Sequence, residues 1–334
     1  MTIKVLIVDD SAFMRKVISD MMKELSGIEV VGTARNGYEA LDFIAKNSVD
    51  IVTLDVEMPG MNGIETLKEI KARYTIPVIM LSSNKNPEVT IEALELGAID
   101  FIEKPVNIGI NISEIKDDIE RKIRSILTIK PGTDRQVVHK AIKKPPSKRK
   151  FDALVVGAST GGPKALVYLV SRLPADTKLP IFIVQHMPKG FTASLAERMD
   201  RESALDVVEA KNGMLIKEGT VYLAPGDFHM VVRGESVFLE TYDKIHGVRP
   251  AVDYLFETAS QKYGDKLLAA LLTGMGRDGT EGMIKIRRSG GYNLAQDKET
   301  STIFGMPGNA IANGVVDEVL SLEDMSETIN RLVR

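Results

Sequence analysis

Short runs of aliphatic residues alternate with helix-like stretches along almost the whole chain, and this alternation limits the possible folds more than any other feature. The helix-like stretches are about 10 to 15 residues long, which favours parallel strands joined by crossover helices. The first half contains the strand-like runs IKVLIV, EVVGTA, DIVTLDV, PVIML and AIDFIE. The second half contains DALVVG, PIFIVQ, TVYLA, HMVVR, SVFLE, LLAALLT and GGYNLA. We therefore predict an α/β protein with two doubly wound domains; the second is mostly parallel, with an antiparallel hairpin that turns at Gly234.

A basic segment separates the two halves. Residues 130–150 contain eight Lys or Arg residues, one Asp and three prolines. This composition predicts a solvated linker at 129–150, between an N-terminal domain at 1–128 and a C-terminal domain at 151–334. The segment has no aromatic residues and no recognition helix follows it, so we do not expect nucleic acid as a partner.

The composition excludes several classes of protein. The chain of 334 residues has 44% hydrophobic residues, a net charge of −3 and no cysteine, which rules out disulfides, thiolate metal sites and cysteine nucleophiles. No apolar run approaches the length of a membrane span. We expect a cytoplasmic protein without direct membrane insertion, and nothing in the sequence demands more than a monomer.

Charged and polar residues end four predicted strands of the first half. Asp9 and Asp10 follow the first strand, Asp55 ends the third, Ser82 the fourth, and Lys104 follows the fifth. Three carboxylates that converge on one sheet edge would repel each other unless a hard cation such as Mg²⁺ lay among them. A hydroxyl and an ammonium group could bind an added phosphoryl group. One such Asp would more often be a helix cap, but five positions in register favour a phosphorylation site.

The first half resembles the receiver domains of response regulators. The resemblance rests on VDDS at 8–11, DVEMPGMNG at 55–63, Ser82-Ser83 and Lys104-Pro105. It implies a flavodoxin-like sheet of five parallel strands with Asp55 as the phosphoacceptor. It also implies that Mg²⁺ is held by Asp9, Asp10, Asp55 and the Glu57 carbonyl, that Ser82 is the switch hydroxyl, and that Lys104 senses the phosphoryl group. The hydroxyl position is more often Thr in this family.

A glycine-rich turn opens the second half. Residues 157–161 (GASTG) fit the G-x-S-x-G nucleophile elbow, which presents a serine, here Ser159, between a strand and a helix. Pro163 suits the first turn of that helix, whose amides could face an oxyanion. A dinucleotide-binding loop is the alternative, although the spacing is not G-x-G-x-x-G. The next strand also ends in Gln185 and His186, with no acidic residue for a ribose. The glycines alone leave both interpretations open.

A nucleophilic serine needs a base, and the chain has four histidines. His139 lies in the linker, His229 opens a strand and His246 lies in a polar loop. His186 follows the strand after Ser159, where a carboxyl-end position would lie close to the elbow. A lone His at a strand end is more often structural, but its pairing with the elbow favours the catalytic interpretation.

Asp278 is the candidate carboxylate that orients the base. It follows another apolar strand and a glycine-rich turn. It could instead cap the next helix, with Glu281 completing a capping box, and the sequence alone does not separate the two roles. The order Ser, His, Asp differs from that of the α/β-hydrolases but is compatible with triad chemistry.

The motifs GASTGGP, QHMP, APGDFHM and LLTGMGRDG, behind a receiver and a linker, resemble the chemotaxis protein-glutamate methylesterase family over essentially the whole chain. The resemblance implies a phosphorylation-activated serine hydrolase that releases methanol from glutamate γ-methyl esters on the cytoplasmic helices of chemoreceptors; many members of the family also deamidate receptor glutamines. It implies catalytic Ser159, His186 and Asp278, with the main-chain amide of Met275 at the oxyanion and no cofactor for the esterase.

The same resemblance implies control of the enzyme. A chemotaxis histidine kinase would phosphorylate Asp55, and the unphosphorylated receiver would inhibit the catalytic cleft. The alternative is a receiver linked to a non-enzymatic or nucleotide-binding output domain.

Overall fold

The computed structural model describes residues 2–83, 86–104, 112–127 and 150–333. These residues form two compact units, one before and one after the predicted linker, most of which lies outside the described residues. No helix in the described ranges combines the length and apolar character that crossing a bilayer requires.

The N-terminal unit is built on a sheet of five parallel strands in the order β2-β1-β3-β4-β5. The aliphatic runs at the centre of this sheet are buried, as expected for a parallel sheet covered by helices on both faces. The strands are β1 (Ile3–Val8), β2 (Ile28–Ala34), β3 (Ile51–Asp55), β4 (Val78–Ser82) and β5 (Asp100–Glu103). The predicted five-stranded sheet is confirmed.

Among the described residues of this unit, five helices accompany these strands, and polar side chains define where three of them begin. Ser11 and Asn36 each accept a hydrogen bond from a first-turn amide, and Asn62 forms a capping box with Glu65. The helices are α1 (Ala12–Lys23), α2 (Gly37–Lys46), α3 (Gly63–Arg73), α4 (Pro87–Glu95) and α5 (Ile112–Leu127). On α5, the side chains of Ile119, Ile123 and Ile126 are buried.

The C-terminal unit contains a parallel sheet of seven strands in the order β15-β14-β13-β6-β7-β10-β8. Its strands are β6 (Ala153–Ala158), β7 (Ile181–Gln185), β8 (Asp206–Glu209), β10 (Thr220–Leu223), β13 (Leu267–Leu271), β14 (Tyr292–Gln296) and β15 (Glu318–Leu320). A separate antiparallel sheet contains β9 (Met214–Leu215), β11 (His229–Arg233) and β12 (Ser236–Glu240). The predicted hairpin turns at Gly234, whose φ of 52° lies in the left-handed region.

Helices complete this unit: α6 (Gly162–Val170), α7 (Phe191–Glu202), α8 (Val252–Tyr263), α9 (Thr280–Arg288), α10 (Met306–Ala312) and α11 (Leu322–Leu332). Pro163 lies in the first turn of α6, as predicted. The sequence prediction missed β8, β9 and β15, which are only two to four residues long. The two residues of β9 and the three of β15 are too few to show a periodic pattern.

In both parallel sheets, later strands lie on either side of the first strand of the sheet, so the strand order reverses at that strand. In the N-terminal sheet, β1 lies between β2 and β3, and in the C-terminal sheet β6 lies between β7 and β13. Loops at the carboxyl ends of such strands diverge and leave a crevice, which is where doubly wound proteins bind ligands. The candidate residues Asp9, Asp55, Ser159 and His186 all lie at these two edges.

We expect the Phe182→Ala substitution to reduce the stability of the C-terminal unit. The Phe182 ring is fully buried and stacks on Tyr222 at a centroid distance of 5.5 Å. Removing it leaves a cavity that costs about 3–5 kcal/mol. Urea unfolding of the full chain, followed by circular dichroism, measures the loss. The control Leu215→Ala, at a side chain that is 63% exposed, should change stability by less than about 0.5 kcal/mol. Equal losses in the two variants would contradict the predicted core position.

Candidate functional site

Ser159 lies at the tip of the turn between β6 and α6, at the switch point of the C-terminal sheet. Its main-chain N–H donates to the carbonyl of Thr273 at 3.0 Å, and its carbonyl accepts from the N–H of Gly162 at 2.7 Å. Gly161 adopts a φ of 77°, which is strained for any residue with a Cβ. The backbone of the turn is therefore held on both sides, and the Ser159 side chain is half-buried.

His186 follows β7, the strand directly beside β6. Its N–H donates to the carbonyl of Ala158 at 3.1 Å, so the base candidate lies next to the elbow. On the imidazole, Nε2 lies 2.7 Å from Oδ2 of Asp278. Because Nε2 is engaged there, Nδ1 is the ring nitrogen left for the serine. Within the described part of the chain the Ser159 hydroxyl forms no hydrogen bond to this ring; such contacts often form only with substrate.

The Asp278 carboxylate is almost completely buried, with four hydrogen-bond donors around it. Besides His186, it accepts the main-chain N–H groups of Val252 at 2.7 Å, Asp253 at 3.0 Å and Gly279 at 3.0 Å. Burial alone would raise the pKa of Asp278, but the hydrogen bond from His186 and those from the amides hold that pKa below its usual value. Asp278 is therefore a carboxylate suited to partner an imidazolium.

Asp278 is not the N-cap of α9, the helix that follows it, so the capping interpretation is wrong for that helix. The N-cap residue of helix α9 is Gly279, which has no side chain to serve as a cap. Asp278 instead caps α8, because Val252 and Asp253 are the first residues of that helix. The same carboxylate thus serves a helix start and an imidazole, so the two alternatives are not exclusive.

Asp253, in the first turn of α8, in turn caps α9. Its Oδ1 accepts the N–H of Gly279 at 3.0 Å and of Gly282 at 2.7 Å, at the start of α9. Each of the two helices is therefore capped by a carboxylate from the beginning of the other. Burial, together with the nearby negative charge of Asp278, raises the pKa of Asp253 to about 7.

The described part of the chain contains two further histidines, and neither forms a hydrogen bond with Ser159. His229 is fully buried; its Nδ1 accepts the N–H of Ala251, and its Nε2 donates to the carbonyl of Asp243. Burial lowers the pKa of His229, which fits a neutral structural ring. His246 lies 3.8 Å from Asp253 Oδ2. The predicted His139 in the linker lies outside the described residues.

Met275 lies in the loop after β13, close to the elbow. The loop is fixed on both sides of it: Gly305 and Met306 donate their N–H groups to the carbonyl of Gly274, and Asn309 donates its side-chain amide to the carbonyl of Gly276. Within the described ranges, the Met275 N–H has no acceptor. A main-chain donor without an acceptor in a rigid loop can bind an oxyanion.

The edge of the N-terminal sheet brings the predicted acidic residues together. Side-chain oxygens of Asp9, Asp10 and Asp55 lie within 4.8 Å of one another, as a single divalent ion requires. The Lys104 ammonium lies 2.8 Å from Asp9 and 2.7 Å from Asp55. Burial raises the pKa of Asp55 to about 6 against the opposing effect of Lys104, so Asp55 is mostly ionised at neutral pH.

Ser82 and Glu57 lie beside this edge but make other contacts. The Ser82 hydroxyl is buried and lies 2.5 Å from the Thr90 hydroxyl on α4. The Glu57 N–H donates to Asp55 at 3.2 Å, and its side chain accepts from Asn86. Five of the six predicted receiver residues line the same cavity of about 280 Å³: Asp10, Asp55, Glu57, Ser82 and Lys104.

Comparison with known proteins identifies the family. Residues 154–329 match the model of the CheB methylesterase family, and residues 5–116 match the response regulator receiver domain. The chain belongs to the CheB methylesterase family. It is 47% identical to the protein-glutamate methylesterase/protein-glutamine glutaminase of Pyrococcus horikoshii, over 99% of this chain and 94% of the relative. The relative of the same name from Thermotoga maritima is 43% identical, over 99% of this chain and 98% of the relative.

A solved structure supports the fold of the CheB methylesterase unit. The crystal structure of the Thermotoga maritima CheB methylesterase catalytic domain matches with a TM-score of 0.53 and 45% identity. The match covers 55% of this chain and 99% of that domain. The family resemblance inferred from the sequence is confirmed.

Two side chains at the candidate active site were missed by sequence analysis. Asp253 gave no signal, because an acidic residue in a first helical turn is common. Gln185 did give a signal in the sequence, because it is a polar residue that ends the otherwise apolar run PIFIVQ. Its side-chain amide donates to the carbonyls of both Ser159 and His186.

We expect the Asp253→Asn substitution to change how stability depends on pH. The pKa of Asp253 is about 7 in the folded protein, above the ordinary 3.8. Its contribution to stability is therefore fully present below pH 4 and is lost as the pH rises towards 7. The variant cannot lose that proton, so its melting temperature should rise relative to wild type between pH 5 and pH 8. A difference that stays constant over this range would contradict the assignment.

Proposed function

We propose that the protein is a serine hydrolase that removes methyl groups from glutamate γ-methyl esters of chemoreceptors and that also deamidates receptor glutamines. Names of the relatives support the two activities. The observation that carries the proposal is the 2.7 Å contact between His186 and Asp278 beside the Ser159 turn. A serine, an imidazole and a buried carboxylate are the three groups that acyl transfer requires.

In the proposed reaction, the Ser159 hydroxyl attacks the ester carbonyl while His186 removes its proton through Nδ1. Asp278 holds the other ring nitrogen and stabilises the imidazolium. The main-chain N–H of Met275 would bind the oxyanion. Methanol takes the proton back from His186 and leaves; water then hydrolyses the acyl-enzyme with His186 again as the base. With a glutamine substrate the same steps release ammonia.

The alternative of a nucleotide-binding output domain is less favourable. In the glycine-rich turn, the Gly162 N–H at the start of α6 already donates to the carbonyl of Ser159. A phosphate at this helix start would need that donor. The match to an esterase family also favours the hydrolase.

The N-terminal unit is proposed to control the hydrolase through phosphorylation of Asp55 by a chemotaxis histidine kinase. Asp9, Asp10, Asp55 and the Glu57 carbonyl would hold Mg²⁺, which neutralises charge between the carboxylates and the phosphoryl group. Lys104, already paired with Asp55, would contact the new phosphoryl oxygens. In the proposed control, the unphosphorylated receiver inhibits the hydrolase.

The contact between Ser82 and Thr90 offers a route from Asp55 to α4. A phosphoryl oxygen is a charged acceptor, and hydrogen bonds to charged acceptors are about twice as strong as those between neutral groups. Ser82 would therefore exchange Thr90 for the phosphoryl group, which removes one connection between β4 and α4.

We expect a fluorophosphonate probe to label the wild-type protein at Ser159. Ser159→Ala should abolish labelling, and Asp278→Asn should slow it by roughly three to four orders of magnitude because the imidazole loses its partner. Mass spectrometry of the adduct and the rate of methanol release from methylated receptor measure the two effects. The control is Ser171→Ala, at the C-terminal end of α6, the helix that follows the Ser159 turn. It should react at the wild-type rate. Labelling at another residue would refute the assignment of the nucleophile.

We expect Asp55→Asn to retain the basal rate of methanol release but to lose its increase with a small phosphodonor and Mg²⁺. The amide cannot accept a phosphoryl group. Asp42→Asn, an exposed carboxylate on α2 paired with Lys46, is the matched control and should respond like wild type. Activation that persists in Asp55→Asn would show that phosphorylation acts elsewhere.

A further inference from the structure

Gln185 connects the backbones of the two residues proposed as nucleophile and base. Its Nε2 donates to the carbonyl of Ser159 at 3.0 Å and to the carbonyl of His186 at 3.2 Å. The side chain is 2% exposed and ends β7, in register with Ala158 of β6. One amide group therefore joins the end of β7 to the Ser159 turn, 26 residues away in sequence.

Only one orientation of the amide satisfies these contacts. Both partners are carbonyl oxygens, which accept hydrogen bonds and cannot donate them, so the NH₂ end must face them. The Oε1 atom then points to Gly162, at the place where a side chain there would put its Cβ. Among the described residues, Oε1 has no donor.

A buried acceptor without a donor is unfavourable, because it loses its hydrogen bond to water. Nonpolar side chains would fill the same space at the end of an apolar strand without that cost. The amide is therefore not explained by packing alone, while its two donors are both used at the proposed active site. Glycine at position 162 is also what leaves room for Oε1.

We propose that Gln185 is a positioning residue that sets the separation of Ser159 and His186 for proton transfer. The inference rests on the proposed hydrolase and deepens it. Among the described residues, the Gln185 amide bonds to the main-chain carbonyls of Ser159 and His186 and not to the Ser159 hydroxyl or the His186 ring; it acts by holding those carbonyls. Loss of the bridge should let the Ser159 turn and the start of the His186 loop shift independently, and displacements of about 1 Å can slow catalysis about 100-fold.

Asn293 supplies a matched control in the same sheet. Its amide is fully buried in β14 and donates to two carbonyls, those of Met283 and Val315, and its Oδ1 also lacks a donor within the described ranges. None of its hydrogen bonds involves Ser159, His186 or Asp278. Removing this amide tests the loss of an equivalent bridge away from the proposed active site.

The first experiment compares Gln185→Met with Asn293→Leu in the full-length protein. We expect Gln185→Met to lower kcat for methanol release and the rate of fluorophosphonate labelling by about 10- to 100-fold, with little change in KM. Asn293→Leu should lower the melting temperature but react at the wild-type rate. Equal rate losses in the two variants, or a wild-type rate in Gln185→Met, would overturn the inference.

The second experiment uses Gln185→Glu and remains decisive if Gln185→Met does not fold. An ionised carboxylate would repel both carbonyls, whereas a protonated carboxyl can donate one hydrogen bond. The labelling rate of Gln185→Glu divided by that of wild type should therefore rise as the pH is lowered, and the ratio for Asn293→Asp should not. A flat ratio for Gln185→Glu would contradict the bridge. Absence of labelling at Ser159 in wild type would instead refute the proposed hydrolase itself.

Discussion

The buried carboxylate of Asp278 is the interaction on which the catalytic unit depends most. It joins the start of α8, the start of α9 and the imidazole of His186 through four hydrogen bonds. Asp253 completes the arrangement from the other helix. A buried charge is tolerated only where its hydrogen-bonding capacity is filled. Packing of the two helices and orientation of the proposed base are thus consequences of one group.

Both units place their proposed reactive oxygens at the switch point of a parallel sheet. Asp55 and Ser159 each lie where strand order reverses, since diverging loops leave space there. Their surroundings differ: Asp55 lies among other carboxylates and an ammonium group, whereas Ser159 lies in a tight turn beside an imidazole. The charge of the neighbours, rather than the type of sheet, distinguishes a site suited to phosphoryl transfer from one suited to acyl transfer.

The sequence allowed most of the fold to be predicted because long aliphatic runs and helix-like stretches have distinct periods. It also placed His186 beside Ser159, since neighbouring parallel strands end at one edge. It did not reveal that Asp278 caps α8, because its partners Val252 and Asp253 are 26 and 25 residues away in sequence. Capping rules describe local contacts only. Gln185 was missed for a related reason: its polar side chain at the end of an apolar run was visible, but its partners are main-chain carbonyls, which side-chain patterns do not identify.

The double role of Asp278 has a consequence for how this architecture can change during evolution. In the proposed mechanism, Ser159 could be replaced with loss of chemistry alone, because its hydroxyl supports no other contact in the described part of the chain. Asp278 could not, since its loss would also leave the amides that begin α8 without their acceptor. Descendants that have become pseudoenzymes should therefore have lost the serine first. An aspartate that is retained in such a protein would be kept for its role in folding and not for catalysis.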